Sequence, residues 1–285
     1  PDMRLRLDDI AVFRANWDNK ADNIRTIAET LDIGLDSMVF VDDNPAERAL
    51  VRRELPMVTV VELPEDPSHY VRAVHGARLF ETLTFSAEDR KRADYYRANA
   101  SRQEERKRFT DLAEYQRSLE MQATARAIDD FSLPRAAQLI NKSNQFHLTG
   151  TRYSEGDIRV MLERPDWCGR VFTLKDRFGD NGLISVVLLH VAEGVGTIDT
   201  WVMSCRVLGR GMEEFIVNDL VAQARALGCH SLAARYVPSK KNKLVAGLYA
   251  RMGFAAAAAD AADGTTFWRL DLAQATPLTT QIAAA

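Results

Sequence analysis

Three groups of residues in this chain are of types that do chemistry. Cys205-Arg206-Val207-Leu208-Gly209-Arg210-Gly211 follows an apolar strand pattern and runs into an amphipathic helix pattern. A helix start exposes backbone N–H groups and the positive end of the peptide dipole. Gly209 and Gly211 would let a phosphate oxygen approach the backbone, and Arg206 or Arg210 would add charge, so residues 206–211 read as a phosphate-binding loop. Cys205, beside Arg206 and near the helix start, would have its thiolate favoured. The competing reading for a cysteine is a small buried hydrophobe. In the second group, His147 is a general base by chemical type, with an ordinary pKa of about 6.5, and Asp180 competes for that role. Arg177, within Asp176-Arg177-Phe178-Gly179-Asp180-Asn181-Gly182, would meet a substrate phosphate unless that segment is a polar turn. The third group is Lys20 with Asp42 and Asp43. Adjacent carboxylates at the carboxyl end of a parallel strand repel each other unless a cation such as Mg²⁺ lies between them, and a nearby lysine can neutralise a phosphoryl group. Alternatively, the two aspartates cap the helix that follows.

These groups need elements to position them. Residues 19–31 and 45–55 have helical periodicity, while 37–41 and 57–63 read as short buried strands, an alternation that predicts a parallel sheet. Residues 86–117 are charged and free of proline and glycine, the pattern of a solvated connecting helix. Beyond them, strands are predicted over 120–127, 170–175, 183–190, 196–203 and 230–236, with helices over 133–141, 154–162, 212–227 and 241–252. Gly228 and Gly253 follow the last two helices as C-terminal caps, and the tail after Ala275 reads as frayed.

A chain of 285 residues suits two domains, and 46% hydrophobic with 27% charged residues describes a globular protein. A net charge of −3 argues against non-specific nucleic-acid binding. No apolar run reaches the length of a membrane-spanning helix, and Pro1-Asp2-Met3-Arg4 has no apolar signal core. Cys168, Cys205 and Cys229 lack metal-site spacing and read as reduced thiols of a cytoplasmic protein. Opening on proline reads as a fragment or a late coding start.

Phe40-Val41-Asp42-Asp43-Asn44-Pro45-Ala46-Glu47, with Lys20 upstream, resembles the third and fourth motifs of the haloacid-dehalogenase (HAD) phosphatase superfamily. The resemblance implies that Lys20 steadies a phosphoryl group and that Asp42 and Asp43 hold Mg²⁺. The superfamily's nucleophile pattern, Asp-x-Asp-x-Thr after an apolar run, does not occur, so this half is expected to be inactive as a phosphatase. Arg206-x-x-Gly209-x-Gly211 resembles the pyrophosphate loop of GNAT acyltransferases. Asn242, Tyr249 and Gly253-Phe254 resemble that fold's later motif, which implies that Asn242 and Tyr249 face a phosphopantetheine thiol. Core packing is the alternative for Tyr249 and Phe254, and a helix N-terminal position for Asn242.

With Asn144-Gln145-Phe146-His147-Leu148-Thr149 added, the chain from Arg4 to Phe254 resembles the FkbH-like proteins. That likeness implies an α/β protein: a partial HAD-like Rossmannoid segment over 1–84, a linker helix over 85–117, a GNAT-like α+β acyltransferase domain over 118–275 and a flexible tail over 276–285. It also implies that a glyceryl unit from a small phosphorylated three-carbon substrate passes to an acyl carrier protein for polyketide assembly, with Cys205 bearing the acyl group. Two other functions compete. An acetyl-CoA-dependent N-acetyltransferase would need a base and no essential cysteine, and a docking module would bind a carrier protein without catalysis.

Overall fold

The computed structural model describes residues 4, 6–31, 33–81, 92–257 and 263–285, and the chain divides into two compact units, Pro1–Arg108 and Phe109–Ala285. In the first unit, Ala21, Ile24 and Ala28 recur at helical spacing and form the buried face of α1 (Lys20–Leu31). Helix α2 (Pro45–Glu54) begins after Asn44, whose side chain accepts from the Ala46 N–H at 2.9 Å; Pro45 takes the position where no N–H is needed. Strands β1 (Val39–Phe40) and β2 (Thr59–Val60) pair in parallel, and Val51, Leu55 and Val58 pack with Ala21 and Ile24.

Helices α3 (Tyr70–Gly76) and α4 (Arg92–Arg106) complete the unit. The charged stretch expected to be one solvated linker differs from that expectation. Helix α4 buries Asn99 and Arg102, and the Asn99 amide donates to the Thr30 carbonyl of α1 at 3.3 Å. The expected start at Ser86 lies outside the described residues. Asp111 then accepts from the Glu114 N–H and caps a new helix, α5 (Leu112–Ser118), whose Tyr115 is buried in the second unit.

The second unit is built on one eight-stranded sheet in the order β10-β3-β4-β5-β6-β7-β9-β8. Its strands are β3 (Gln122–Ala127), β4 (Trp167–Asp176), β5 (Gly179–Ala192), β6 (Val195–Met203), β7 (Ser231–Tyr236), β8 (Ala255–Ala256), β9 (Thr266–Asp271) and β10 (Ala283–Ala284). The pairs β6–β7 and β10–β3 are parallel and the others antiparallel. The middle strands read as continuous apolar runs because both their faces are covered. Helices α6 (Leu133–Lys142) and α7 (Glu155–Leu162) bury Ile140 and Ile158 with Val171, Val186 and Val202. On the opposite face, α8 (Met212–Ala226) buries Ile216 and Leu220 with Phe172, Ile198 and Leu232.

Two expectations need correction here. Residues 241–252 are not one helix but a 3₁₀ turn (Lys243–Val245) and a short α9 (Leu248–Arg251). The tail is not frayed: Ile282 is buried, and β10 extends the sheet beside β3. No helix among the described residues is long and apolar enough to cross a membrane.

Two irregularities set up the site. Strands β6 and β7 pair only from Val195↔Ser231 to Ile198↔Ala234 and then part. Pairing of β5 with β6 passes from Leu188↔Thr200 to Leu189↔Ile198, which leaves Asp199 as the extra residue of a bulge.

Candidate functional site

Cys205 opens a 3₁₀ turn (Cys205–Val207) directly beyond β6 and is half-buried. Gly209 (φ +70°) and Gly211 (φ +82°) take left-handed conformations that suit glycine, and Gly211 is the N-cap of α8. A Cβ added at Gly209 would meet nothing within 4 Å, while the Gly209 carbonyl accepts from Gln116 Nε2 at 3.0 Å. The arginines are arranged otherwise than expected. Arg210 is buried and pairs with Asp176 at 3.0 Å, and it also donates to the Arg206 carbonyl. Arg206 donates from Nε to Ser204 Oγ at 3.1 Å and from Nη2 to the Asn181 carbonyl at 3.4 Å. A buried guanidinium needs a carboxylate partner, and Asp176 at the end of β4 supplies it. The first turn of α8 carries Glu213 and Glu214, and burial raises the Glu213 pKa above the usual carboxylate range. Both arginines of the loop, and the carbonyls of Gly209 and Gly211, are engaged by the protein itself.

Residues 146–148 fill the gap where β7 leaves β6. The Met203 N–H donates to the Phe146 carbonyl (3.2 Å), Leu148 N–H to the Trp201 carbonyl (3.3 Å) and Val237 N–H to the Leu148 carbonyl (2.8 Å). Asn242 fastens this clasp rather than facing a ligand. Its Nδ2 donates to the His147 and Val237 carbonyls, both at 2.9 Å, and its Oδ1 accepts from the Ser239 N–H (2.7 Å) and the Tyr236 hydroxyl (3.1 Å).

His147, expected as a general base, is 1% exposed. Its Nδ1 accepts from the Gly150 N–H at 3.0 Å, so Nε2 carries the proton and donates to the Thr151 carbonyl at 2.9 Å. Burial, with the nearby Arg152 charge, pushes its pKa down to about 4. Both ring nitrogens are used within the protein, and the residue is structural. Asp180 is exposed near the start of β5, opposite Lys175, and accepts the Gly182 N–H at 2.7 Å. Asp176 pairs with Gly179 and Lys175 with Asp180, so the hairpin turn is Arg177-Phe178 alone. Tyr249 is fully buried, with ring centroids 6.2 Å from Trp201, 5.2 Å from Phe254 and 6.4 Å from Trp268. Burial raises its phenol pKa, and neither its hydroxyl nor Trp201 Nε1 has a partner among the described residues.

In the first unit, Lys20 Nζ lies 3.8 Å from Asp42 Oδ2. Asp42 Oδ1 accepts from the Asn44 N–H at 2.9 Å, and buried Arg48 holds the Asp42 and Asp43 carbonyls at 2.8 and 2.9 Å. The helix cap is Asn44, not either aspartate. Two carboxylates at a strand end suit Mg²⁺, which keeps several waters and takes one or two carboxylates with a substrate phosphate. No cluster of three metal-binding side chains occurs among the described residues.

Sequence reasoning missed Asp199 and Arg235, which line a cavity on the sheet. Alternation along β7 could have placed Arg235 on the face opposite Leu232 and Ala234. The bulge that re-aims Asp199 has no sequence signature.

No protein-family profile and no curated protein matches the chain. Over 30% of its length it is 65% identical to the N-terminal part of a Bacteroides fragilis protein containing a phosphatase domain, complexed with Mg (TM-score 0.29). The chain covers 23% of that structure, less than a quarter of its length. The Escherichia coli ribosomal-protein-S18-alanine N-acetyltransferase is 15% identical over 54% of this chain and 96% of its own (TM-score 0.41). A Vibrio cholerae spermidine N-acetyltransferase, in complex with CoA and spermine, is 14% identical over 54% of this chain and 97% of its own (TM-score 0.42). The fold class is the one expected from the sequence, mixed α/β, with a two-stranded parallel sheet in the first unit and an eight-stranded mixed sheet in the second.

Proposed function

We propose that this chain is an acyltransferase that, like the FkbH-like proteins it resembles, loads a glyceryl-type three-carbon unit onto an acyl carrier protein through a thioester on Cys205. The observation that carries this reading is the place of Cys205: half-buried, just beyond the carboxyl end of β6, in the glycine-bearing turn that leads into α8. Burial raises the thiol pKa of Cys168 and Cys229, which disfavours their thiolates. The Cys205 thiolate attacks the activated glyceryl carbonyl, and the bond to the donor's leaving group breaks. The carrier's phosphopantetheine thiolate then attacks that thioester and releases Cys205. One thioester replaces another, so the second step is close to thermoneutral. Lys20, Asp42 and Asp43 would hold Mg²⁺ and the phosphoryl oxygens of a three-carbon phosphate.

Intact-mass analysis tests this after incubation with a glyceryl thioester donor. The chain should gain one glyceryl mass, removable by hydroxylamine. Cys205→Ser should abolish the gain, while Cys168→Ser and Cys229→Ser keep it. Labelling that persists in Cys205→Ser overturns the assignment. Acetylation of an amine by acetyl-CoA that survives Cys205→Ser identifies an N-acetyltransferase instead, and carrier binding without labelling identifies a docking module.

A further inference from the structure

A cavity of about 290 Å³ opens in the second unit over β5, β6, β7 and β9, walled by Trp167, His190, Asp199, Arg235 and Phe267. Along β7, Leu232, Ala234 and Tyr236 pack into the core, so Ala233 and Arg235 present the other face. The β6 bulge brings Asp199 to the same wall. Asp199 and Arg235 each stand one residue beyond the Ile198↔Ala234 pair, on strands that part there.

Arg235 is exposed, and it has neither an ion pair nor a hydrogen bond among the described residues. Asp199 spends Oδ2 on the Tyr153 and Thr200 hydroxyls, both at 2.9 Å, which leaves Oδ1 without a partner among those residues. The aromatic wall is fixed: His190 contacts Asp166 at 3.0 Å, and its ring lies 5.0 Å from that of Trp167. Phe267 is 37% exposed at the mouth. Small-molecule sites combine apolar walls with a few convergent polar groups, and this cavity has both. Asp199 and Cys205 are six residues apart, roughly 15–20 Å along a strand, so the cavity is separate from the thiol.

We propose that this cavity binds a small organic anion carrying a hydrogen-bond donor. Its carboxylate or phosphoryl group lies on the Arg235 guanidinium, its hydroxyl or amine on Asp199 Oδ1, and its carbon body between Trp167 and Phe267. A guanidinium fork matches either anion bidentately. The site does not depend on Cys205, and its test reads binding alone.

Calorimetric titration of the full chain uses five probes: glycerate, glycerol 3-phosphate, serine, propionate and glycerol. At least one of the first three should saturate, and glycerol should not. Glycerate against glycerol 3-phosphate separates the carboxylate from the phosphoryl group. Arg235→Gln should weaken the bound anion about tenfold or more, without shifting thermal unfolding, because the side chain has no partner to lose. Arg235→Lys keeps the charge without the fork and should recover part of the affinity. Asp199→Asn should weaken glycerate or serine more than propionate. Failure of every anionic probe to saturate overturns the proposal, and so does an Arg235→Gln chain that binds as the wild type does.

Discussion

At position 147 the histidine illustrates how far burial changes a residue's chemistry. In the unfolded chain its imidazole titrates near 6.5; in the folded protein burial holds it at about 4. Between those values the unfolded chain binds a proton that the folded one does not, so stability rises with pH through this window. The contribution is complete above about 6.5 and is lost as pH falls towards about 4, and the full shift corresponds to roughly 3 kcal/mol. Urea unfolding across the window should show this slope, and His147→Asn should flatten it. An unchanged slope in the variant would mean that other groups carry the acid sensitivity. Asp180, the competing base, is exposed and accepts the Gly182 N–H through Oδ1. A thioester exchange at Cys205 asks for a thiolate rather than for such a base.

Among the elements, the clasp across the parted strands depends most on one side chain. Asn242 holds two carbonyls and accepts two donors, and the His147 carbonyl and Tyr236 hydroxyl among them are buried. Asn242→Ala leaves those groups without a partner, and each buried orphan costs about 1–3 kcal/mol. A loss of roughly 3 kcal/mol or more is therefore expected in urea unfolding. Hydrogen exchange separates a local from a global effect: the Leu148, Met203 and Val237 amides should exchange faster than those at the centre of β5. Equal acceleration everywhere would show that Asn242 supports the whole fold rather than the clasp. The same elements explain the phosphate loop. Asp176 ends β4 and holds Arg210 beneath the turn, so the loop's shape and β4 are coupled.

At the scale of the whole molecule, the buried clusters separate cleanly. The small cluster of Ala21, Ile24, Val51, Leu55 and Val58 lies in the first unit, and both large clusters lie wholly beyond Phe109. A fragment of residues 109–285 therefore carries its complete sheet core, including β10 and the buried Ile282. It should unfold in a single cooperative urea transition with the near-ultraviolet signal of a packed Trp201. A fragment that lacks such a transition would show that the second unit needs the first.

The sequence determined the alternation of elements, because apolar periodicity follows directly from which faces are buried. It also determined the strand–turn–helix setting of Cys205, since that rests on residues adjoining a predicted strand end. The tertiary structure decided the rest. His147, Asn242 and Tyr249 looked like reactive types, but whether such groups meet a ligand depends on contacts between distant segments. Here residues 146–148 reach the edge of β6, and Asn242 bonds to a carbonyl 95 positions away. Likewise, Arg210 reads as a free cation until Asp176 arrives from another strand. Arg235 reads as an ordinary surface residue until the parting of β6 and β7 sets it opposite Asp199. Periodicity records burial within one element; charge pairing and cavities arise between elements, where local sequence holds no information.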